Sequence, residues 1–183
     1  MKLWLVRHAA PCVEAGICYG STDLPSDAAA TAQAAFQLAA VLPQGLALAT
    51  SPLQRCEQLA QCLRELRADL PLKSDARLAE MDFGAWEGRR WDAIGEAALA
   101  QWTADFWQHH PGGGESLAQF MARVGAAFDD SVRAGRDAVW ITHAGVIRAV
   151  QLLITGQRSV QHAHQWPVQA PAFGAWQVLE VPA

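Results

Sequence analysis

Three places in the chain set cationic or nucleophilic side chains directly behind a short apolar run. Leu3-Trp4-Leu5-Val6 leads into Arg7-His8, and Leu46-Ala47-Leu48-Ala49-Thr50 leads into Ser51-Pro52 with Arg55 close behind. Ala138-Val139-Trp140-Ile141-Thr142 leads into His143-Ala144-Gly145. Two guanidiniums can grip a phosphate through paired, charge-assisted donors. A helix amino terminus adds free N–H groups and partial positive charge, and a histidine beside such a seat can donate to the phosphoryl group or attack it. Taken singly, each signal is weak: an Arg-His pair after a strand is usually plain surface, and Arg55 alone reads as a solvated helix residue. His143 alone reads as a hydrogen-bonded histidine near a helix start. Convergence at one sheet edge gives them meaning, and the chemistry they share is phosphoryl binding or transfer.

The segment Leu78-Ala79-Glu80-Met81-Asp82-Phe83-Gly84-Ala85-Trp86-Glu87-Gly88 brings acids and aromatics together in a turn-rich stretch. A carboxyl group near a phosphate seat, shielded by Phe83 and Trp86, is pushed toward its neutral form by desolvation, while the cations oppose that shift. Such a group can protonate a leaving oxygen. The plain alternative is that Glu80, Asp82 and Glu87 are ordinary loop acids.

The elements that must position these residues alternate along the chain. The three apolar runs have the look of strands buried on both faces. Trp176 to Val181 reads as a late or edge strand, and a weaker candidate lies between Leu70 and Leu78, where Pro71 confines it to a strand start. Helical spacing covers 29–42 and 53–68, a stripe from Leu117 to Val132, and about 146–153. Ser51 as N-cap, Pro52 at the first helical position and Gln54 closing a capping box predict the start of the second helix. The expected fold is α/β: a three-layer α/β/α sandwich with a mostly parallel central sheet. It forms one domain over 1–183, with an irregular insert at about 79–114 over the end of the sheet where ligands bind.

Composition excludes several classes. The chain has 183 residues and a formal charge of −4, which argues against a nucleic-acid surface or a polybasic membrane contact. No segment approaches the ~20 apolar residues of a membrane span, and the apolar run at the start is too short for a signal peptide. Cys12, Cys18, Cys56 and Cys62 form no C-x-x-C pair, so free thiols in a reducing, cytoplasmic setting are expected. Gly112-Gly113-Gly114 is not followed by the G-K-[ST] of a P-loop, and no G-x-G-x-x-G follows the first strand. A zinc hydrolase built on His162 and His164 lacks an acid partner in sequence. Most of the eight tryptophans are expected in the core, and so are Trp102, Phe106 and Trp107, in preference to a stacking platform.

Several segments resemble the histidine phosphatase superfamily, the group related to cofactor-dependent phosphoglycerate mutase. Leu5-Val6-Arg7-His8 is similar to its R-H-G opening, Ser51-Pro52-Leu53-Gln54-Arg55-Cys56 to S-P-L-x-R-A, and 78–88 to L-x-E-x-x-F-G-x-W-E-G. Gly113-Gly114-Glu115-Ser116 is similar to G-G-E-S, and Ile141 to Arg148 to the second-histidine segment. The resemblance implies that His8 accepts the phosphoryl group, that Arg7, Arg55 and His143 bind its oxygens, and that Glu80 serves as proton donor and then base. It implies no metal and no cofactor. Ala9 stands where most members have glycine, and a methyl there would crowd the phosphate loop if the backbone needs positive φ.

Gly16-Ile17-Cys18-Tyr19-Gly20-Ser21-Thr22-Asp23 is similar to the C-Y-G-x-x-D segment of α-ribazole phosphatases. This implies a phosphomonoesterase acting on α-ribazole 5′-phosphate in cobalamin nucleotide-loop assembly, with a small-molecule phosphate ester as its partner and neither nucleic acid nor membrane. Tyr19, Ser21, Thr22, Trp86 and Glu115 are the candidate walls of the leaving-group pocket. A broad-specificity sugar or small-molecule phosphatase, a phosphoglycerate mutase and a non-catalytic phosphate-binding protein are the alternatives.

Overall fold

The computed structural model describes residues 1–181. Five strands form one sheet: β1 (Lys2–Arg7), β2 (Ala47–Thr50), β3 (Leu72–Ser74), β4 (Ala138–Thr142) and β5 (Trp176–Glu180), in the spatial order β3-β2-β4-β1-β5. All neighbours run parallel except β5, which pairs antiparallel with β1 at the edge. The period of two along each strand sorts side chains between two layers. Leu3 and Leu5 of β1 and Trp140 of β4 join a cluster with Phe120, Val124, Val146 and Val150, from helices α5 (Leu117–Ala134) and α6 (Ala144–Ile154). Val6, Val139 and Ile141 face the other way, against Ala35, Leu38, Leu59 and Leu63 of α1 (Ala28–Val41) and α2 (Gln54–Leu66). All five residues of β4 are buried, as a central strand covered on both faces requires.

Register brings the strand ends together. Arg7 pairs with Thr142 and Thr50 with Ile141, so β1, β2 and β4 terminate within a residue of one another at the same sheet edge. β3 starts directly after Pro71, where the missing N–H confines it to a short edge strand. Between β3 and α5 the chain makes 3-10 turns at Gly84–Trp86 and Pro111–Gly113 and two short helices, α3 (Trp91–Ile94) and α4 (Glu96–Ala104).

The predicted start of α2 is corrected. The helix begins at Gln54 with Leu53 as N-cap and no side-chain cap; the Ser51 hydroxyl accepts from the Leu53 N–H at 3.3 Å, ahead of the first helical residue. The Ser51 hydroxyl is buried against His143, and Gln54 donates its backbone and side-chain N–H groups to Asp23. A complete capping box stands instead at α5, where Ser116 and Gln119 bond each other's backbone N–H. No helix among the described residues is long and apolar enough to cross a membrane.

Candidate active site

His8 leaves β1 buried, with only 2% of its surface exposed. Its Nδ1 lies 2.7 Å from the Ala9 carbonyl oxygen. A carbonyl can only accept, so Nδ1 carries the hydrogen and Nε2 keeps its lone pair. Burial, reinforced by the positive charge of Arg55 and Arg7 and opposed by the Ala9 hydrogen bond, lowers the His8 pKa to about 3. The ring is therefore neutral at physiological pH, with one nitrogen free to act as a nucleophile. Ala9 is buried and does not crowd the turn, since no residue other than glycine has positive φ among the described residues. The glycine expected at that position is not required by this backbone.

Two guanidiniums flank the ring. Arg55, in the first turn of α2, is fully buried and donates from Nη1 to the Thr22 carbonyl at 2.8 Å and from Nη2 to the Gly20 carbonyl at 2.6 Å. Arg7 donates from Nη1 to the Pro171 carbonyl at 3.0 Å, with its Cζ 3.8 Å from the Phe173 ring centroid. Neither pairs with a carboxylate among the described residues, and the Nε–H of each is buried without an acceptor there. Tyr19 stands between the two cations, its ring centroid 5.4 Å from Arg55 Cζ.

His143 follows β4 and is fully buried, its ring centroid 5.1 Å from that of His8. Its Nε2 and Ser51 Oγ are hydrogen-bonded at 2.8 Å, and Cys56 Sγ lies 3.4 Å away. Burial first, then Arg55 and His8, hold the His143 pKa well below its usual value. Burial likewise pushes up the Cys56 thiol, which stays neutral and acts as packing against the imidazole.

Glu80 enters from the other side. Its Oε2 accepts from the backbone N–H of Gly145 at 3.0 Å and its Oε1 from that of Met81 at 3.1 Å. A β-carbon on Gly145 would stand 2.2 Å from Glu80 Oε1, so the carboxylate reaches this place only over a glycine. Arg123 of α5 fixes the backbone behind it, donating to the carbonyls of Arg77, Ala79 and Glu80 while it pairs with Glu115 at 2.7 Å.

These groups meet at a cavity of about 390 Å³ lined by Arg7, His8, Tyr19, Glu80 and Arg148. Arg55 and His143 lie buried beside it, each close enough to His8 to depress its pKa or touch its ring. The far walls are apolar and aromatic: Phe83, Trp91, Trp102, Phe106, Phe120 and Trp166. Of the wall residues expected from sequence, Tyr19 alone lines this cavity.

Ser21 and Thr22 turn away to Glu87, whose carboxylate accepts from both backbone N–H groups and both hydroxyls as well as from the Phe83 N–H. Burial raises the Glu87 pKa and these hydrogen bonds outweigh it, leaving the group below its usual value. Glu87 thus clamps the loop whose carbonyls hold Arg55. A β-carbon on Gly20 would lie 1.8 Å from the Met81 carbonyl, so the two loops close only over a glycine. Trp86 is buried behind the wall with Cys18 and Ile94, and Glu115 serves Arg123. Trp102 and Phe106 pack on the core as expected but also face the cavity, whereas Trp107 packs on the core alone.

Arg148, Trp91, Phe120 and Trp166 were not singled out as site residues from the sequence, and Trp102 and Phe106 were expected in the core in preference to the cavity wall. One signal was available for Arg148: Ala144, Gly145 and Arg148 share a helix face by their i, i+3 and i+4 spacing. No comparable signal marked Trp91, Phe120 or Trp166, which come from three segments far apart in the chain. His162 and His164 stack on each other at the surface, their ring centroids 5.5 Å apart. Among the described residues no group of three or more His, Cys, Asp or Glu is placed to hold a metal ion.

The fold and this cluster define an enzyme of phosphate-ester hydrolysis, and known proteins agree. The TTHB049 protein of Thermus thermophilus is 32% identical, with 100% of this chain and 95% of that one covered and a TM-score of 0.71. The α-ribazole phosphatase of Shigella flexneri is 26% identical, with 98% and 90% covered and a TM-score of 0.77. The mycobacterial glucosyl-3-phosphoglycerate phosphatase is 26% identical, with 84% and 78% covered and a TM-score of 0.71. The histidine phosphatase superfamily (branch 1) matches residues 3–180, and the chain belongs to it. It is a phosphatase.

Proposed function

We propose that the protein hydrolyses a small-molecule phosphate monoester through a phosphohistidine on His8, and that its substrate is α-ribazole 5′-phosphate. The observation that carries the reaction is the neutral His8 ring, whose Nε2 is left free by the Nδ1–Ala9 bond beside two guanidiniums that pair with no carboxylate among the described residues. Support for the substrate comes from the aromatic cavity wall, suited to a flat benzimidazole, and from similarity to the Shigella flexneri α-ribazole phosphatase.

In the first step Nε2 of His8 attacks phosphorus and the ester P–O bond breaks. The bond pair goes to the leaving oxygen, which takes a proton from Glu80. Arg7 and Arg55 neutralise the phosphoryl oxygens as charge shifts in the transition state, and the neutral His143 ring donates a hydrogen bond to them. In the second step Glu80, now a carboxylate, takes a proton from water as that water attacks phosphorus. The N–P bond breaks, and orthophosphate leaves with His8 restored to its neutral tautomer. The guanidiniums supply the positive charge, so no step calls on a metal.

A panel of phosphate esters tests the substrate. The highest kcat/KM is expected for α-ribazole 5′-phosphate; a preference for phosphoglycerate or simple sugar phosphates removes that assignment. Similar rates on unrelated esters replace it with a broad-specificity phosphatase, a reading favoured by the likeness to a glucosyl-3-phosphoglycerate phosphatase. For the mechanism, a quenched reaction is expected to carry acid-labile phosphate on His8, and His8→Ala to lose both the label and turnover. Full turnover by His8→Ala refutes the phosphohistidine.

A further inference from the structure

The turn ahead of β5 is fastened to the end of β1. The Arg7 N–H donates to the Ala175 carbonyl at 3.0 Å, and the Gly174 N–H to the His8 carbonyl at 2.9 Å. The Arg7 side chain reaches the same turn through its Nη1 bond to the Pro171 carbonyl. Gly174 makes the reversal at φ +72°, a conformation that residues with a β-carbon rarely adopt.

This backbone sets Phe173 against the two groups that begin the reaction. Its ring centroid lies 3.8 Å from Arg7 Cζ and 5.5 Å from the His8 ring centroid, with 43° between the two ring planes. The side chain stays 41% exposed, so burial in either hydrophobic layer does not account for its place. Contact with the leaving group does not account for it either. Phe173 is absent from the lining of the cavity that holds Glu80 and the aromatic wall, and borders a separate hollow with Ala9, Ala10 and Ala34.

We propose that Phe173 is a positioning residue for the phosphoryl step, acting through Arg7 and His8. Its π face attracts the Arg7 guanidinium and holds that group in one plane. A guanidinium ordered in advance spares an arriving anion the cost of ordering it. The Nδ1–Ala9 bond pins one edge of the His8 imidazole, and a neighbouring ring limits how far the plane can rock about that edge. Nε2 and the guanidinium thereby stay aimed at one phosphorus position, the near-attack geometry that a fast displacement needs. The inference rests on the phosphatase reading above and deepens it by adding a residue that never touches the leaving group.

The test compares the wild type with Phe173→Leu, which keeps apolar bulk without a π face, and Phe173→Tyr, which keeps the face. Three quantities are measured: kcat/KM on α-ribazole 5′-phosphate and on 4-nitrophenyl phosphate, the calorimetric affinity for orthophosphate, and the thermal midpoint. A cation–π contact at a partly exposed site corresponds to about threefold to tenfold. Phe173→Leu is expected to lose at least that factor in kcat/KM, equally on both esters, and about that factor in orthophosphate affinity. Phe173→Tyr is expected to stay within twofold of wild type in each. A Phe173→Leu variant within twofold of wild type overturns the proposal, whether or not its midpoint falls. A loss confined to one ester also overturns it, because the residue then acts on the leaving group, and so does an equal loss in Phe173→Tyr. If the wild type turns over neither ester, the phosphatase reading has failed instead. The orthophosphate affinities of the two variants then decide the hold on Arg7 by the same factors.

Discussion

Acidification should destabilise this protein through His8, and the size of the effect follows from its burial. In the folded chain burial and two guanidiniums lower the His8 pKa to about 3, against about 6.5 for an unfolded histidine. The unfolded chain therefore takes up this proton first as pH falls. The contribution of neutral His8 to stability is complete above about pH 6.5 and is lost between there and about pH 3. At 1.36 kcal/mol per pH unit, roughly 2.7 kcal/mol disappears by pH 4.5 from this one ring. His143, shifted in the same direction by burial and by Arg55, adds to the loss.

Carboxylates also titrate in this range, so the comparison must be made with His8→Asn, which keeps a side-chain N–H for the Ala9 carbonyl but cannot be protonated. Urea unfolding followed by the fluorescence of the eight tryptophans gives the free energy at pH 7.5, 6.5, 5.5 and 4.5. The wild type is expected to lose about 2–3 kcal/mol more than the variant between pH 6.5 and 4.5. Orthophosphate should shrink that difference, because a bound phosphate anion offsets the guanidinium charge acting on the ring. Parallel pH curves for the two proteins refute the account of a neutral, desolvated His8.

Gly145→Ala should displace Glu80, since the added carbon meets Oε1 at 2.2 Å; esters of poor leaving groups should slow by about 100-fold and activated aryl esters far less. Glu80→Gln should show the same divergence in steady-state rates, and equal slowing of both ester types counts against a proton donor at this position. Glu87→Gln should loosen the 20–22 loop and with it Arg55. The expected signs are a raised KM for every ester and a urea-derived stability lower by roughly 1–3 kcal/mol; an unchanged KM denies the clamp its role.

The strand-helix alternation was legible because each strand here reads by itself: β4 is buried on both faces and its five residues form an uninterrupted apolar run. Pro71 marked the start of β3 for a local reason, the missing N–H. The start of α2 was misread because a local rule met a tertiary competitor. Ser51 has the right type and spacing for a cap, but its hydroxyl is shared between the Leu53 N–H and the buried imidazole that follows β4, 92 residues away, and the helix itself starts only at Gln54. Ser21, Thr22 and Glu115 were drawn into the pocket wall by motif, yet their polar atoms are satisfied by Glu87 and Arg123, partners invisible along the chain.

The amino-acid sequence alone determined the layers and the strand ends carrying Arg7, Arg55 and His143, because periodicity, capping and apolar runs are local properties. Tertiary structure decided which nitrogen of His8 is free, what keeps its ring uncharged, where Glu80 sits and which rings line the cavity. Those depend on distances between segments far apart in the chain, on desolvation and on a glycine that lets a carboxylate approach a backbone, and no window of sequence encodes them.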